Sequence, residues 1–212
     1  MTTQTETNPD AMWLTRIIWA VLVMVILGIS GGLAWQIVHA PHAVPLKIHG
    51  TLPAFELTER SGKKFGSEDL KGHVWIADFV FTRCAGPCPV MSQKMMQIQE
   101  ALRDAPSVRF VSFSVDPEYD TPKVLSEYAD RFQANPEKWL FLTGKTETIR
   151  DIAMQHFKLA LQTSPDPNAV LHSTHFVLVD GRNRIRGYYD SSEPASLGQI
   201  QDDARRLSKE TP

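Results

Sequence analysis

The hydrophobic positions along the chain divide it into two parts. Residues 17–38 are 22 consecutive residues without a charged side chain. From about residue 50 onwards, short apolar runs alternate with segments in which apolar residues recur every three or four positions. Short runs indicate buried strands, and the longer period indicates amphipathic helices. The pattern therefore predicts one long apolar helix followed by a domain of alternating strands and helices.

The predicted strands of this domain fall into two groups. Three are nearly continuous apolar runs, as expected for strands that are covered on both faces: residues 73–81, 108–115 and 139–142. Four shorter strands pair into hairpins, because each pair flanks a turn sequence. The two hairpins lie around Ser61-Gly62 and Asp180-Gly181-Arg182-Asn183.

Four helices are predicted between and after the strands. The first follows Pro89, and the second begins at Thr121-Pro122, where a capping threonine precedes a proline. The apolar positions that define the four helix faces are Met91, Met95, Ile98 and Leu102; Val124, Leu125, Tyr128 and Phe132; Ile149, Ile152, Ala153 and Phe157; and Leu197, Ile200, Ala204 and Leu207. This order predicts an α/β fold, a mixed sheet flanked by helices, which suits a thioredoxin-like domain.

The long apolar run predicts a transmembrane anchor. As a helix, 22 residues rise about 33 Å, enough to cross a hydrocarbon core of about 30 Å. The predicted organisation is an N-terminal tail at residues 1–16, the anchor at 17–38, a linker at 39–51 and the domain at 52–212. The run is too long for the apolar region of a typical signal peptide, so we expect the anchor to be uncleaved, with cleavage near Ala40 as the alternative.

The charges beside the run predict its orientation. Arg16 precedes the run and the next basic residue is Lys47, so residues 1–16 should stay inside and the domain should lie outside. Residues 1–12 contain acids and no arginine, unlike a mitochondrial transit peptide. We therefore expect a bacterial inner membrane protein with a periplasmic domain; the alternative is a mitochondrial inner membrane protein that faces the intermembrane space. Gly28 and Gly32 are spaced as in helix dimers, or are simply small residues in a membrane helix.

Composition excludes several classes of protein. The net charge is −2 and the sequence pI is near 6.4, so the chain lacks the basic footprint of a nucleic-acid-binding protein. Two cysteines cannot build a disulfide-rich scaffold. A hydrophobic content of 42% is too high for a disordered chain. What remains is a globular domain, and its chemistry depends on where the two cysteines lie.

Both cysteines, Cys84 and Cys88, lie in the segment that joins a predicted strand to a predicted helix. Ligands of open α/β sheets bind at the carboxyl ends of strands. The start of a helix favours negative charge and should lower the pKa of a thiol there. Four-residue spacing lets the two sulfurs converge in a disulfide or on one soft metal ion. The alternative is a purely structural role, as buried thiols or as a structural disulfide.

Three ordered motifs resemble the SCO/SenC family of membrane-anchored copper chaperones, over roughly residues 52–207. They are Thr82-Arg-Cys84-x-x-x-Cys88-Pro89, Ser114-Val-Asp116-Pro117-Glu-Tyr-Asp120-Thr121-Pro122 and His172-Ser173-Thr174. The resemblance implies that Cys84, Cys88 and His172 bind one copper ion, as Cu(I) or Cu(II). It further implies a metallochaperone that delivers copper to, or reduces cysteines of, the copper centre of cytochrome c oxidase. The implied partners are the copper-binding subunit of that oxidase or another copper chaperone.

The sequence departs from the family pattern near each implied ligand. The family often has an acidic residue between the cysteines and an aspartate before the histidine, where this chain has Ala85-Gly86-Pro87 and Leu171. Fewer carboxylates leave fewer groups to orient the ligands, which bears on metal affinity. His175 lies three residues after His172, and residues three apart on a strand face opposite sides, so we expect it to point elsewhere. Asp116 is either an acid beside the metal or a turn former.

A thiol–disulfide oxidoreductase is the main rival interpretation. Asp78 lies six residues before Cys84, the offset of the buried aspartate in thioredoxins, and could exchange protons with a cysteine. Against the rival, His172 stands where thioredoxins place a cis-proline. A zinc site with two cysteines and one histidine, and a copper or redox sensor, are further alternatives. Enzymatic activity is therefore left open.

Overall fold

The computed structural model describes residues 9–38, 45–159 and 173–210, in two units that divide after Pro45. The first unit contains one helix, α1 (Pro9–Val38). Its large apolar side chains between Ile17 and Ile29 are exposed. Within the described residues, no helix meets the combined requirements of length and apolar character for crossing a membrane. The anchor at residues 17–38 stays a prediction.

The second unit contains eight strands and four α-helices among its described residues. The strands are β1 (Gly50–Thr51), β2 (Glu56–Glu59), β3 (Lys64–Gly66), β4 (Val74–Val80), β5 (Val108–Ser114), β6 (Trp139–Thr143), β7 (His175–Val179) and β8 (Arg184–Asp190). The helices are α2 (Pro87–Ala101), α3 (Pro122–Arg131), α4 (Thr146–Asp151) and α5 (Ser196–Glu210). A short 3₁₀ helix (Ser67–Leu70) precedes β4, and a π-helix (Ile152–His156) continues α4.

All eight strands join one mixed sheet in the order β1-β8-β7-β4-β5-β6-β2-β3. The three central apolar strands, β4, β5 and β6, are parallel, and the other pairs are antiparallel. The register pairs Val80 with Ser114, so β4 and β5 end at the same edge. The loop after β4 carries Cys84 and the loop after β5 carries Asp116, and this register brings the two loops together.

Both faces of the sheet are covered, as the apolar runs predict. Alternate residues of β4 enter different cores: Val74 and Ile76 pack under α2, α3 and α5, whereas Trp75 and Phe79 face the opposite layer. That second layer is built from α4, the π-helix and the loops before β4. The central strands are thus fully buried, which fixes the position of the loops that leave them.

Local signals account for most element boundaries. The Thr121 hydroxyl accepts a hydrogen bond from the Val124 N–H (3.4 Å) at the start of α3. Gly62 turns the β2–β3 hairpin with φ +82°, a conformation that favours glycine. The π-helix was not predicted, because a three-to-four-residue apolar period does not distinguish it from an α-helix. Phe157, directly after the π-helix, packs on Phe79 with ring centroids 5.3 Å apart.

Candidate metal centre

The two cysteines lie at the junction of β4 and α2. β4 delivers the chain to the edge of the sheet, and the Cys84 N–H donates to the Phe81 carbonyl, which closes a turn (3.2 Å). Cys88 follows in the first turn of α2, which Pro87 starts. Both are free thiols, 8% and 4% exposed, and they lie in one small buried cluster with Val80. The four-residue spacing thus places the two cysteines side by side.

The pKa of the Cys88 thiol is raised, whereas the sequence predicted that it would be lowered. Burial raises its pKa to about 12, and the neighbouring Cys84 thiol and Asp78 carboxyl add to this effect. A hydrogen bond from the Phe81 backbone opposes the rise but does not cancel it. The expectation that the helix start lowers the thiol pKa is therefore wrong for Cys88, because loss of hydration outweighs the helix dipole. The metal-free thiol is protonated at neutral pH.

Asp78 is a buried acid behind the cysteines. It lies on β4 between Ile76 and Val80, on the face that packs under α2, and it is 0% exposed. Among the described residues neither of its carboxyl oxygens meets hydrogen-bond geometry. Burial raises its pKa to about 7, and the nearby Ser112 hydroxyl opposes this only in part. The prediction of a buried aspartate is confirmed, and the carboxyl is poised to gain or lose a proton near neutral pH.

Asp116 joins the cysteine loop to the loop after β5. Its carboxylate accepts hydrogen bonds from Nε (2.9 Å) and Nη2 (2.5 Å) of Arg83. The Arg83 guanidinium also stacks over the Tyr119 ring, 4.4 Å from its centroid. Backbone N–H groups of Tyr119 and Asp120 donate to the Asp116 carbonyl, so the turn-forming role is present as well. Asp116 therefore fixes the residue next to Cys84.

Asp120 makes a second connection, which was not predicted from the sequence. It is fully buried and accepts hydrogen bonds from the Thr82 hydroxyl (2.5 Å), the Thr82 N–H (3.2 Å) and the Ser114 hydroxyl (2.6 Å). Burial raises its pKa although these bonds oppose the rise. A signal was available, because Asp120 lies inside the second family motif. The residue two positions before Cys84 is thus tied to the end of β5.

Replacing Asp120 by alanine should destabilise the domain by about 2–4 kcal/mol, because it leaves buried donors on Thr82 and Ser114 without an acceptor. Asp120→Asn keeps one acceptor oxygen and should cost less. The matched control is Glu118→Ala, in the same loop but exposed, with an expected change within about 0.5 kcal/mol. The measurement is urea denaturation of the three variants; equal stability of Asp120→Ala and the control would contradict this role.

The structure brings together two of the three predicted copper ligands. His172 lies outside the described residues, and so does Leu171. Among the described residues no group of three histidine, cysteine or acidic side chains could hold a metal ion. Cys84 and Cys88 are thiols, which suit Cu(I) when deprotonated. The assignment of His172 as a third ligand stays a prediction.

His175 is the first residue of β7 and is half-buried. Val177 pairs with Ala77, which places His175 toward the end of β4 that leads to the cysteines. By the alternation of a strand it shares the face of Val177, which packs in the core layer opposite α2. Its side chain thus belongs to the other face of the sheet from Asp78. Met91 and Met95 are buried in the core under α2, as predicted from their spacing.

Comparison with known proteins places this architecture in one family. A family profile described as SCO1/SenC matches residues 47–208. The SCO1 protein homolog of Bacillus subtilis (strain 168) is 32% identical over 188 residues, which are 87% of this chain and 97% of that protein.

Two solved structures agree with this assignment. A SCO1/SenC family lipoprotein from Bacillus anthracis str. Ames is 33% identical with a TM-score of 0.71, and the match covers 78% of this chain and 99% of that one. BsSco, described as a member of the Sco family of cytochrome c oxidase assembly proteins, is 34% identical with a TM-score of 0.68, and the match covers 77% and 97%. The predicted thioredoxin-like α/β fold is confirmed. The chain belongs to the SCO1/SenC family.

Proposed function

We propose that this chain is a membrane-tethered copper-binding protein that serves the assembly of the copper centre of cytochrome c oxidase. It would deliver copper to that centre or reduce the centre's cysteines. The observation that carries the proposal is the pair of free thiols in contact, Cys84 and Cys88, at the sheet edge. Two converging sulfurs are a ligand set for a soft metal ion, and thiolates select Cu(I). Membership of the SCO1/SenC family supports the same function.

The proposed ligands are Cys84, Cys88 and His172, which hold one copper ion as cargo. Imidazole binds copper in both oxidation states, so the same set serves Cu(I) and Cu(II). Three ligands leave the ion open to a sulfur of the recipient. Because Cys88 is protonated in the metal-free protein, copper binding displaces its proton to solvent. Apparent affinity should therefore rise with pH.

The recipient is proposed to be the copper-binding subunit of cytochrome c oxidase, or another copper chaperone in the same route. BsSco is described as belonging to a family of cytochrome c oxidase assembly proteins, and that description supports this choice for a relative at 34% identity. Two exposed side chains flank the cysteine loop: Arg83, 54% exposed, and Tyr119, 46% exposed. They offer a cation and an aromatic ring to a docking partner.

The proposed location is the bacterial inner membrane, with the domain in the periplasm. The exposed apolar side chains of α1 support a membrane environment, since exposed apolar surface of this extent is costly in water. A relative from Bacillus anthracis is described as a SCO1/SenC family lipoprotein, which supports association with a membrane. Tethering by residues 17–38 would keep copper delivery at the membrane surface.

Thiol–disulfide exchange is the second candidate function. The contact between Cys84 and Cys88, with the buried Asp78 carboxyl behind them, favours it. In this reaction the two thiols lose two protons and two electrons to a partner disulfide, which becomes two thiols. The description of BsSco includes a disulfide switch, which supports thiol chemistry in that relative. Copper binding and thiol exchange use the same sulfurs and can coexist.

Anaerobic titration of the reduced full chain with Cu(I), in uncharged detergent micelles, tests the proposal. We expect one copper per chain, bound tightly enough to compete with a chromogenic Cu(I) chelator. A parallel assay follows disulfide exchange of the metal-free chain with a small disulfide. Absence of copper binding, together with rapid exchange, would contradict the copper proposal and favour the oxidoreductase.

A further inference from the structure

An arginine-lined cavity lies at the opposite end of the sheet from the cysteines. Its volume is about 280 Å³, and three of its lining residues are Arg182, Arg184 and Arg186. Gly72, just before β4 begins, also lines it, whereas the cysteine loop follows the end of β4. Seven strand residues separate the two places, a distance of roughly 20 Å or more. The cavity is therefore independent of the proposed copper site.

A β-bulge builds one wall of this cavity. Leu178 pairs with Gly187 and Val179 pairs with Ile185, so Arg186 is an extra residue without a partner on β7. Its side chain is turned inward and is only 8% exposed. Nη1 donates to Asp180 and Nη2 donates to the Leu46 carbonyl, each at 2.8 Å. Among the described residues, the buried Nε has no hydrogen-bond partner.

Because this N–H is closed to solvent, Arg186 contributes a fixed positive charge to the cavity rather than a donor. The two neighbouring arginines carry guanidinium N–H groups that are left to bind a ligand. Arg184 donates to Asp180 through Nε, and its Nη2 lies 2.8 Å from the same carboxylate oxygen, which leaves Nη1 for a ligand. Arg182 is exposed at the rim and takes part in none of the ion pairs formed among the described residues. Arg182 and Arg184 thus bring N–H donors to the cavity that they line, and the buried Arg186 guanidinium adds positive charge beside it.

The local charge also favours an anion. The acids on the wall are Asp180, which Arg184 and Arg186 already engage, and Glu210, which lies 3.5 Å from Arg206. The three lining arginines and Arg206 carry four positive charges, against two negative charges on Asp180 and Glu210. The C-terminal end of α5 adds about half a negative elementary charge, so a net positive charge remains. Guanidinium forks match phosphate oxygens better than they match chloride.

We propose that this arginine cavity binds an oxyanion of the phosphate class, with the Arg182 and Arg184 guanidinium groups as donors and the buried Arg186 guanidinium as a fixed positive charge beside them. The anion could be free phosphate or the headgroup of an anionic phospholipid. The headgroup is the favoured source because Leu46, which fixes Arg186, follows the last residue of α1 by eight positions. The preference for a phospholipid headgroup depends on the proposed membrane anchor. The proposal of an anion site depends neither on that anchor nor on copper binding.

The test is an NMR titration of the full chain, labelled with ¹⁵N-arginine, in uncharged detergent micelles. The Arg186 Nε–H signal, assigned by its loss in Arg186→Lys, should shift saturably as inorganic phosphate replaces chloride at constant ionic strength. Arg182→Ala should weaken phosphate binding at least tenfold, because it removes a charged donor. Arg150→Ala, an equal change of charge on the exposed surface of α4, should leave the affinity unchanged.

A second arm distinguishes the two sources. In nanodiscs that contain phosphatidylglycerol and no added phosphate, the Arg186 Nε–H signal should already stand at its phosphate-bound position. If it stands at the unbound position and still responds to phosphate, the ligand is free phosphate and the anion site is upheld. Absence of a saturable shift in micelles, or equal affinity in Arg182→Ala and the unsubstituted chain, would overturn the proposal whatever the outcome of the copper titration.

Discussion

Serine in place of Cys88 should lower the affinity of the reduced chain for Cu(I) by more than about a hundredfold. Removing a group that merely orients a ligand typically costs 10–100-fold in metal affinity, and Cys88 is proposed as a ligand itself. A hydroxyl is a hard donor and cannot replace a thiolate for Cu(I). Cys84→Ser should have an effect of similar size. The measurement is Cu(I) competition with a chromogenic chelator under anaerobic conditions.

His175→Ala is the control for these variants, since His175 lies on the sheet face opposite α2 and should leave the affinity unchanged. Because Cys88 is 4% exposed, a serine there also risks a loss of stability. Circular dichroism and thermal unfolding of each metal-free variant separate that loss from the loss of a ligand. Folded Cys84→Ser and Cys88→Ser chains with undiminished affinity would contradict the site.

Asp78→Asn should remove a large pH dependence of stability in the metal-free chain. Burial raises the pKa of Asp78 to about 7 in the folded state, against an ordinary value of 3.8. At pH 5 the carboxyl is therefore protonated in the folded chain and ionised in the unfolded chain, so folding takes up a proton and stability falls as the pH rises. The stabilisation by the protonated carboxyl is complete below the unfolded pKa and is lost as the pH rises through about 7. Relative to Asp78→Asn, the free energy of unfolding should fall by about 2–3 kcal/mol from pH 5 to pH 8.

Urea denaturation of both chains at the two pH values measures this difference. Asp130→Asn, which changes an exposed aspartate of α3, controls for the loss of a charge and should leave the pH dependence as it is. If Asp78→Asn and the unsubstituted chain lose stability in parallel between pH 5 and pH 8, the folded pKa of Asp78 is not raised. The buried carboxyl would then have a hidden partner that stabilises its charge.

The pattern of apolar positions predicted most of the fold because its signals are local. The central strands carry near-continuous apolar runs, and Thr121-Pro122 caps and starts α3 through neighbouring atoms alone. β1 has two residues and no apolar run, so nothing in its own sequence predicts it. The π-helix depends on how Phe157 packs against the sheet, which is a tertiary contact.

The sequence predicted which residues form the candidate site, but it did not predict their pKa values. Spacing and strand order placed Cys84 and Cys88 together, and the thioredoxin offset identified Asp78 as buried. The raised pKa of Cys88 was missed because desolvation depends on the whole packed environment. Asp120 was missed because its partner Thr82 is 38 residues away in sequence. Such contacts follow from the register of β4 and β5.

X-ray absorption at the copper edge of the Cu(I)-loaded full chain tests the proposed ligand set. Cys84, Cys88 and His172 should give two sulfur scatterers at about 2.2–2.3 Å and one nitrogen at about 2.0 Å, by analogy with zinc–sulfur and zinc–nitrogen distances. His172→Ala should lose the nitrogen and keep both sulfurs, whereas His175→Ala should leave the spectrum as it is. A copper shell without two sulfurs, or a nitrogen that persists in His172→Ala, would contradict the assignment of Cys84, Cys88 and His172 as the copper ligands.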